Sequence, residues 1–182
     1  MQGHQEVFQE IFAELTLDDI TAVKNFAVRF APLLAVGDIV ALDGALGAGK
    51  TALCRAIIQA LGYTGDVPSP TFNLVQLYDP PPENPHAPTI WHMDLYRLGS
   101  PEEAFEIGIE EAFDTAASLI EWPSKLGPYL PAGFLTLRLE ICPAVDQNIN
   151  DDQNIAARKL TLIGDIAWKN RLATRFRKDI FS

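Results

Sequence analysis

A chain of 182 residues, 48% hydrophobic and 21% charged, has the size and composition of one globular domain, 1–182, with apolar material enough to need no covalent staples. A net charge of −10 and a pI near 4.6 exclude a surface that binds nucleic acid over its whole extent. No stretch approaches the roughly 20 apolar residues that span a membrane. The opening MQGHQEVFQE lacks a basic region followed by an apolar run, so a cytoplasmic, membrane-free protein is expected.

Residues 1–14 read as a polar, loosely held lead. Thr16 and Asp19 form a capping-box pattern with Asp in the Glu place. Ile20, Val23, Ala27, Phe30 and Leu34 recur at three and four, which predicts an amphipathic helix to about Leu34. Gly37 and Asp38 turn the chain into Ile39-Val40-Ala41-Leu42, a continuous apolar run suited to a strand buried on both faces. A Gly-rich loop and a helix follow, the helix ending near Gly62. Phe72–Tyr78 reads as a strand. Residues 79–88 carry five prolines in ten and form a loop. Thr89–Met93 is a strand ending at Asp94, Pro101–Phe113 is helical, and Ala117–Ile120 is a strand ending at Glu121. Strands at Phe134–Ile141 and Lys159–Ile163 flank a loop rich in Asp, Asn and Gln. Asp165 opens a last helix, 165–182, with Trp168, Leu172, Phe176 and Ile180 at spacing four. The order predicts an α/β fold, a three-layer domain with a partly parallel central sheet.

Charge is unevenly spread. Glu102 to Glu121 holds seven acids and no base, whereas seven of the fourteen Lys and Arg fall between Arg158 and Lys178. Lys169, Arg171, Arg175, Arg177 and Lys178 would project from the last helix as a patch for a nucleic acid or an acidic partner surface, or as a solvated face. Cys54 and Cys142 sit in apolar surroundings and are expected to be buried thiols without a disulfide. Neither has metal-ligand spacing with the three scattered histidines.

Gly44-Ala45-Leu46-Gly47-Ala48-Gly49-Lys50-Thr51 fits G-x-x-x-x-G-K-[ST] in full, between a buried strand and a helix. Glycines let backbone N–H groups surround a phosphate, and the helix N-terminus adds positive partial charge. Lys50 would reach the β- and γ-phosphates and the Thr51 hydroxyl would bind Mg²⁺. Asp94, at a strand's C-terminal end, stands where a Walker-B acid holds Mg²⁺. Glu121 ends its own strand in the same way. If both strands run parallel to the P-loop strand, both acids meet at one sheet edge, where Glu121 would ligate Mg²⁺ or orient water. Trp122 follows, as packing or as a ligand contact. Ser69-Pro70-Thr71 forms a loop able to sense a γ-phosphate. Neither D-x-x-G after Asp94 nor N-K-x-D is present, so adenine is the expected base. A small-molecule kinase needs an Arg-bearing lid, yet Lys125 and Arg138 are the only cations between Leu98 and Ala157; Arg97 remains a candidate phosphate contact.

Taken in order, Leu42 to Thr51, Ser69-Pro70-Thr71-Phe72-Asn73-Leu74-Val75, His92-Met93-Asp94-Leu95-Tyr96-Arg97-Leu98 and Leu119-Ile120-Glu121-Trp122-Pro123 resemble the TsaE (YjeE) family of small bacterial ATPases, as does Ile107-Gly108-Ile109 before Phe113. The resemblance covers about Leu15 to Ile141. It implies a Mg²⁺-dependent ATPase that acts with two partners, TsaB and TsaD. In that family ATP turnover resets TsaD, which installs threonylcarbamoyl on adenosine 37 of tRNAs, so tRNA is met through the complex. It further implies Lys50 on the phosphates, Thr51 and Glu121 as Mg²⁺ ligands, Asp94 as the Walker-B acid, Thr71 in the switch loop and Trp122 near the nucleotide. The Pro-rich stretch and the basic tail are longer than the family pattern. A small-molecule P-loop kinase and a non-catalytic nucleotide-binding scaffold are the alternatives. ATP is expected to bind better than GTP; a competition assay in which GTP displaces ATP efficiently would refute the adenine preference.

Overall fold

The structure is a computed structural model that describes residues 9–142 and 156–180. The chain's first eight residues, most of the Asp/Asn/Gln-rich segment and the Lys178 side chain lie outside the described residues. Seven strands form one sheet: β1 (Glu10–Leu17), β2 (Ile39–Asp43), β3 (Val75–Tyr78), β4 (Ile90–Asp94), β5 (Ala117–Glu121), β6 (Leu135–Ile141) and β7 (Arg158–Gly164). Their spatial order is β1-β7-β6-β2-β5-β4-β3. β6, β2, β5 and β4 pair in parallel; β3, β7 and β1 join antiparallel at the two sides. The expected partly parallel α/β sheet is therefore present.

Parallel strands covered on both faces must be apolar throughout, and β5 is buried at all of its positions. Alternation assigns each residue a layer. Val40, Leu42, Leu119 and Ile90 join the core under α1 (Ile20–Phe30), α2 (Lys50–Ala60) and α4 (Ile166–Ile180). Ile39, Ile120, Trp91 and Met93 join a second core with α3 (Ile109–Thr115) on the other face. The spacing of four in α4 is the docking face: Trp168, Leu172 and Phe176 are buried, and Phe176 meets Phe26 of α1 at 5.3 Å between ring centroids. Each such side chain contributes about 1.5–3 kcal/mol on burial.

Several expected boundaries shift for local reasons. The lead is not loose after residue 9, because Glu10–Leu17 is a strand paired with β7. Thr16 lies in that strand opposite Lys159, so it does not cap α1. Asp19 does, accepting from the Ala22 amide at 2.7 Å. α1 stops at Phe30 and tightens into a 3₁₀ turn, Ala31–Leu33, because Pro32 supplies no N–H. Phe72–Leu74 is a turn rather than strand; Leu74 has φ +62°, outside extended backbone. The helix expected over 101–113 divides into a 3₁₀ segment, Pro101–Phe105, and α3, separated by Gly108. Cys142 is half-buried rather than buried, and both cysteines are free thiols. Among the described residues, no helix is long and apolar enough to cross a membrane.

The basic tail is partly neutralised by its docking. Lys169 pairs with Glu10 at 2.9 Å, and Arg171 forks onto Asp38 with two bonds of 2.8 Å while reaching the Leu33 carbonyl. These two cations do not project freely, which leaves Arg175 and Arg177 exposed on the helix. Bidentate geometry on a carboxylate that also caps the Ala35 amide makes the Arg171 bond more than a surface pair. Arg171→Ala is expected to lower the unfolding free energy by about 1–2 kcal/mol in urea denaturation; a loss below about 0.3 would mean that α4 is held by its apolar face alone.

Candidate phosphate and metal site

Asp43 ends β2, residues 44–49 form the loop, and Lys50 opens α2. Gly49 occupies the N-cap position at φ +105°, ψ 15°, and no side chain caps the helix. The first-turn N–H groups of α2 thus face the loop without a side-chain acceptor. Gly44 has φ +143°, and a Cβ there would stand 2.4 Å from the Leu139 carbonyl oxygen of β6. The first loop glycine is required by the neighbouring strand, before any ligand is considered.

Behind the loop lies Arg158, the first residue of β7. Its Nε donates to the Ala48 carbonyl at 2.9 Å and its guanidinium reaches the Gly47 carbonyl at 3.4 Å and that of Ala156. Arg158 is outside the cleft and lines a smaller apolar hollow of about 120 Å³ with Ala48, Leu17 and Leu139.

In front lies a cleft of about 380 Å³. Of the sequence-derived candidates, Leu46, Gly47, Gly49, Lys50, Thr51, Thr71, Asp94, Glu121 and Trp122 line it. Gly44, Ala45 and Ala48 do not. Arg97, the candidate phosphate contact, lines it too, and Ala52 and Tyr96 complete the wall. Parallel pairing puts Asp94 directly opposite Glu121 in register, and both are buried. Glu121 Oε2 accepts from the Thr51 hydroxyl at 2.9 Å, and its Oε1 meets His92 Nε2 at 2.9 Å. Asp94 Oδ2 accepts from the Thr71 hydroxyl at 2.9 Å, and its Oδ1 accepts from the Tyr96 amide. Because Thr71 gives its proton to Asp94, Ser69 must donate in the 2.6 Å contact between the two hydroxyls.

Lys50 folds over its own loop. Nζ donates to the Gly44 and Ala45 carbonyls at 2.7 and 2.9 Å and sits 4.0 Å above the Trp122 ring. Burial pushes its ammonium below the ordinary lysine value, while the carboxylates of Glu121, Asp94 and Asp43 pull the other way. Trp122 reaches this position through left-handed backbone, φ +60°, ψ +51°, immediately after β5. A non-glycine residue held there costs on the order of 1 kcal/mol and marks a constrained site. Cys54 Sγ, a His92 nitrogen and a Glu121 oxygen lie within 4.8 Å of one another. Burial pushes the Cys54 thiol well above its usual range, with Glu121 and Asp94 adding to the effect, so the thiol stays protonated and acts as packing.

His92 and Tyr96, which the motifs carried without a role, and Arg158 are bonded to residues of the candidate site. His92, in β4, and Tyr96, in the turn just after it, flank Asp94 at two-residue spacing, a pattern readable in the local sequence. Arg158 lies more than a hundred residues from the loop it holds, and no local pattern reveals it.

Comparison with known proteins follows the same lines. The sequence model described as threonylcarbamoyl adenosine biosynthesis protein TsaE matches residues 17–150. The chain belongs to the TsaE family. A TsaE relative from Rickettsia bellii, named tRNA threonylcarbamoyladenosine biosynthesis protein TsaE, is 42% identical over 134 residues, covering 73% of this chain and 90% of the relative. The Haemophilus influenzae protein of the same name is 37% identical over 130 residues, covering 68% and 79%. The crystal structure of Bacillus subtilis YdiB superposes with a TM-score of 0.68 at 23% identity, covering 96% of this chain and 97% of that one. That likeness supports the P-loop fold. Within this TsaE-family chain, Arg158 and α4 lie beyond the matched residues.

The loop glycines can be ranked. Gly44→Ala forces a backbone clash, whereas a Cβ at Gly47 meets nothing within 4 Å. Urea denaturation without nucleotide should show Gly44→Ala destabilising by about 2 kcal/mol or more and Gly47→Ala by about 1, the strain of positive φ alone. Equal losses would refute the clash with β6.

Proposed function

We propose that this TsaE-family chain binds ATP with Mg²⁺ and hydrolyses it, weakly alone and faster with TsaB and TsaD, in the threonylcarbamoylation of tRNA adenosine 37. The observation that carries the reading is the 2.9 Å bond from Thr51 to Glu121, which joins the end of the P-loop to the end of β5. The relatives' names supply the pathway.

The donor set suits the metal. Thr51 and Glu121 offer hard oxygen ligands side by side, the kind Mg²⁺ takes along with phosphates and water. These two residues would hold Mg²⁺, which when bound neutralises charge on the phosphates. Lys50, freed from the Gly44 and Ala45 carbonyls, would carry its charge to the same phosphates. Asp94 is bonded to Thr71 and Tyr96 rather than to Thr51. That arrangement suits it to orient a water at the γ-phosphate, with contact to Mg²⁺ through water. Thr71 would couple this carboxylate to its loop, and Trp122 would close the cleft over Lys50.

Phosphotransfer to a small molecule is less well supported. Of the two cations that could serve a lid, Lys125 donates to the Leu98 carbonyl and Arg138 pairs with Asp43. Arg97, at the cleft, lies over the Phe72 ring at 4.8 Å.

Turnover of ATP should rise on adding purified TsaB–TsaD, with phosphate released and no phosphorylated small acceptor formed. Lys50→Ala should abolish ATP binding in titration calorimetry. Asp94→Asn and Glu121→Gln should each keep the fold and cut turnover by about 10²-fold or more. A full rate in both acid variants would reduce Asp94 and Glu121 to strand-end caps.

A further inference from the structure

The buried histidine behind Glu121 has no task in the chemistry above, and its surroundings define one. His92 is wholly buried on β4, two residues before Asp94, and is paired in register with Leu119, two residues before Glu121. Alternation therefore puts its ring beneath α2, on the same face as both carboxylates. Nε2 lies 2.9 Å from Glu121 Oε1, while Nδ1 has no hydrogen-bond partner among the described residues. A carboxylate oxygen only accepts, so Nε2 carries the proton and donates. A proton on Nδ1 would be a buried donor without an acceptor, which is costly. One ring nitrogen thus donates a hydrogen bond to Glu121 and the other has no partner among the described residues.

We infer that His92 is a positioning residue for the metal ligand: its Nε2–H fixes Glu121 Oε1, so that Oε2 is presented at the Thr51 hydroxyl. This rests on the reading of Thr51 and Glu121 as the Mg²⁺ ligands. A carboxylate on its own rotates about its terminal torsion, which is broad. With Oε1 pinned from beneath and Oε2 bonded to Thr51, both oxygens of Glu121 are accounted for. The plane of the carboxylate is then set before a cation arrives. Residues that orient a ligating group in this way typically change metal affinity or activity 10–100-fold when removed. The orphaned Nδ1 is unfavourable for packing, and an apolar side chain would remove it.

The test uses full-length protein with ADP bound and Mn²⁺ as the probe ion, free Mn²⁺ being read by electron paramagnetic resonance. His92→Leu and His92→Phe both fill the space without a donor, so a folding failure in one leaves the other. Either is expected to weaken Mn²⁺ binding about 10–100-fold while ADP affinity measured in EDTA stays within about twofold. His92→Gln, whose amide nitrogen can reach Glu121, should recover most of the loss. In a Glu121→Ala background, His92→Leu should add no further loss. Mn²⁺ affinity unchanged in both apolar variants, or an equal loss added on Glu121→Ala, overturns the inference while leaving the site reading intact. Wild-type protein that binds ADP but never Mn²⁺ overturns the assignment of the metal ligands, and this inference with it.

Discussion

Everything at the cleft depends on two parallel strand pairings being in register. Leu42 stands opposite Glu121, and Glu121 stands opposite Asp94, so the P-loop and both carboxylates leave the sheet at one level. Because side chains alternate with a period of two, a slip of one residue would send both acids to the face covered by α3, away from α2 and Thr51. What prevents the slip is the apolar packing of Val40, Leu119 and Ile90 on one face and of Ile39, Ile120 and Met93 on the other. The polar site orients its carboxylates by its own hydrogen bonds but does not set the strand register. It borrows rigidity from two hydrophobic cores that would be split differently in any other register.

That dependence explains which parts were legible beforehand. β2, β4 and β5 are buried on both faces and read as short, mostly apolar runs, interrupted only by His92 and Ser118 and each ending in an acid, so their ends and the two carboxylates of the cleft could be placed directly. β1 could not. Its sequence EIFAELTL has the burial pattern eeBBeieB, and a bulge between Ile11 and Ala13 breaks the alternation that would have announced a strand. Leu74 falls within the run Phe72–Tyr78 that reads as a strand, but it has φ +62° and its carbonyl accepts from the Asp94 amide, a local turn that no residue pattern announces. Gly108 divides a segment whose acids and apolar residues would otherwise suit one helix. Composition showed an excess of bases in the tail, but not that Arg171 and Lys169 are taken up by Asp38 and Glu10.

The electrostatic arrangement is economical in sign. The protein is acidic overall, yet the cleft collects two buried carboxylates against one buried lysine. Hydroxyls, an amide and an imidazole satisfy the carboxylate oxygens, so no second fixed cation is needed beneath them. Lys50 is held by carbonyls and an aromatic face, partners weaker than a carboxylate or phosphate. A lysine so placed can move to an anion without first breaking a buried ion pair.

The edge of the sheet has a consequence for the chain as it is made. β1, near the N-terminus, pairs with β7, near the C-terminus, across almost the full length of the sequence. During synthesis β1 emerges first among the described strands and waits, apolar side chains included, until its neighbour, the last of them, appears. Arg158, at the start of that same strand, is what grips the carbonyls of Gly47 and Ala48. The loop and its helix are translated early, but the residue that braces them from behind arrives more than a hundred codons later. A ribosome-bound chain halted before β7 would carry the whole phosphate-loop sequence and lack its brace. The bracing of the phosphate loop is thereby tied to the pairing of β7 with β6 and β1.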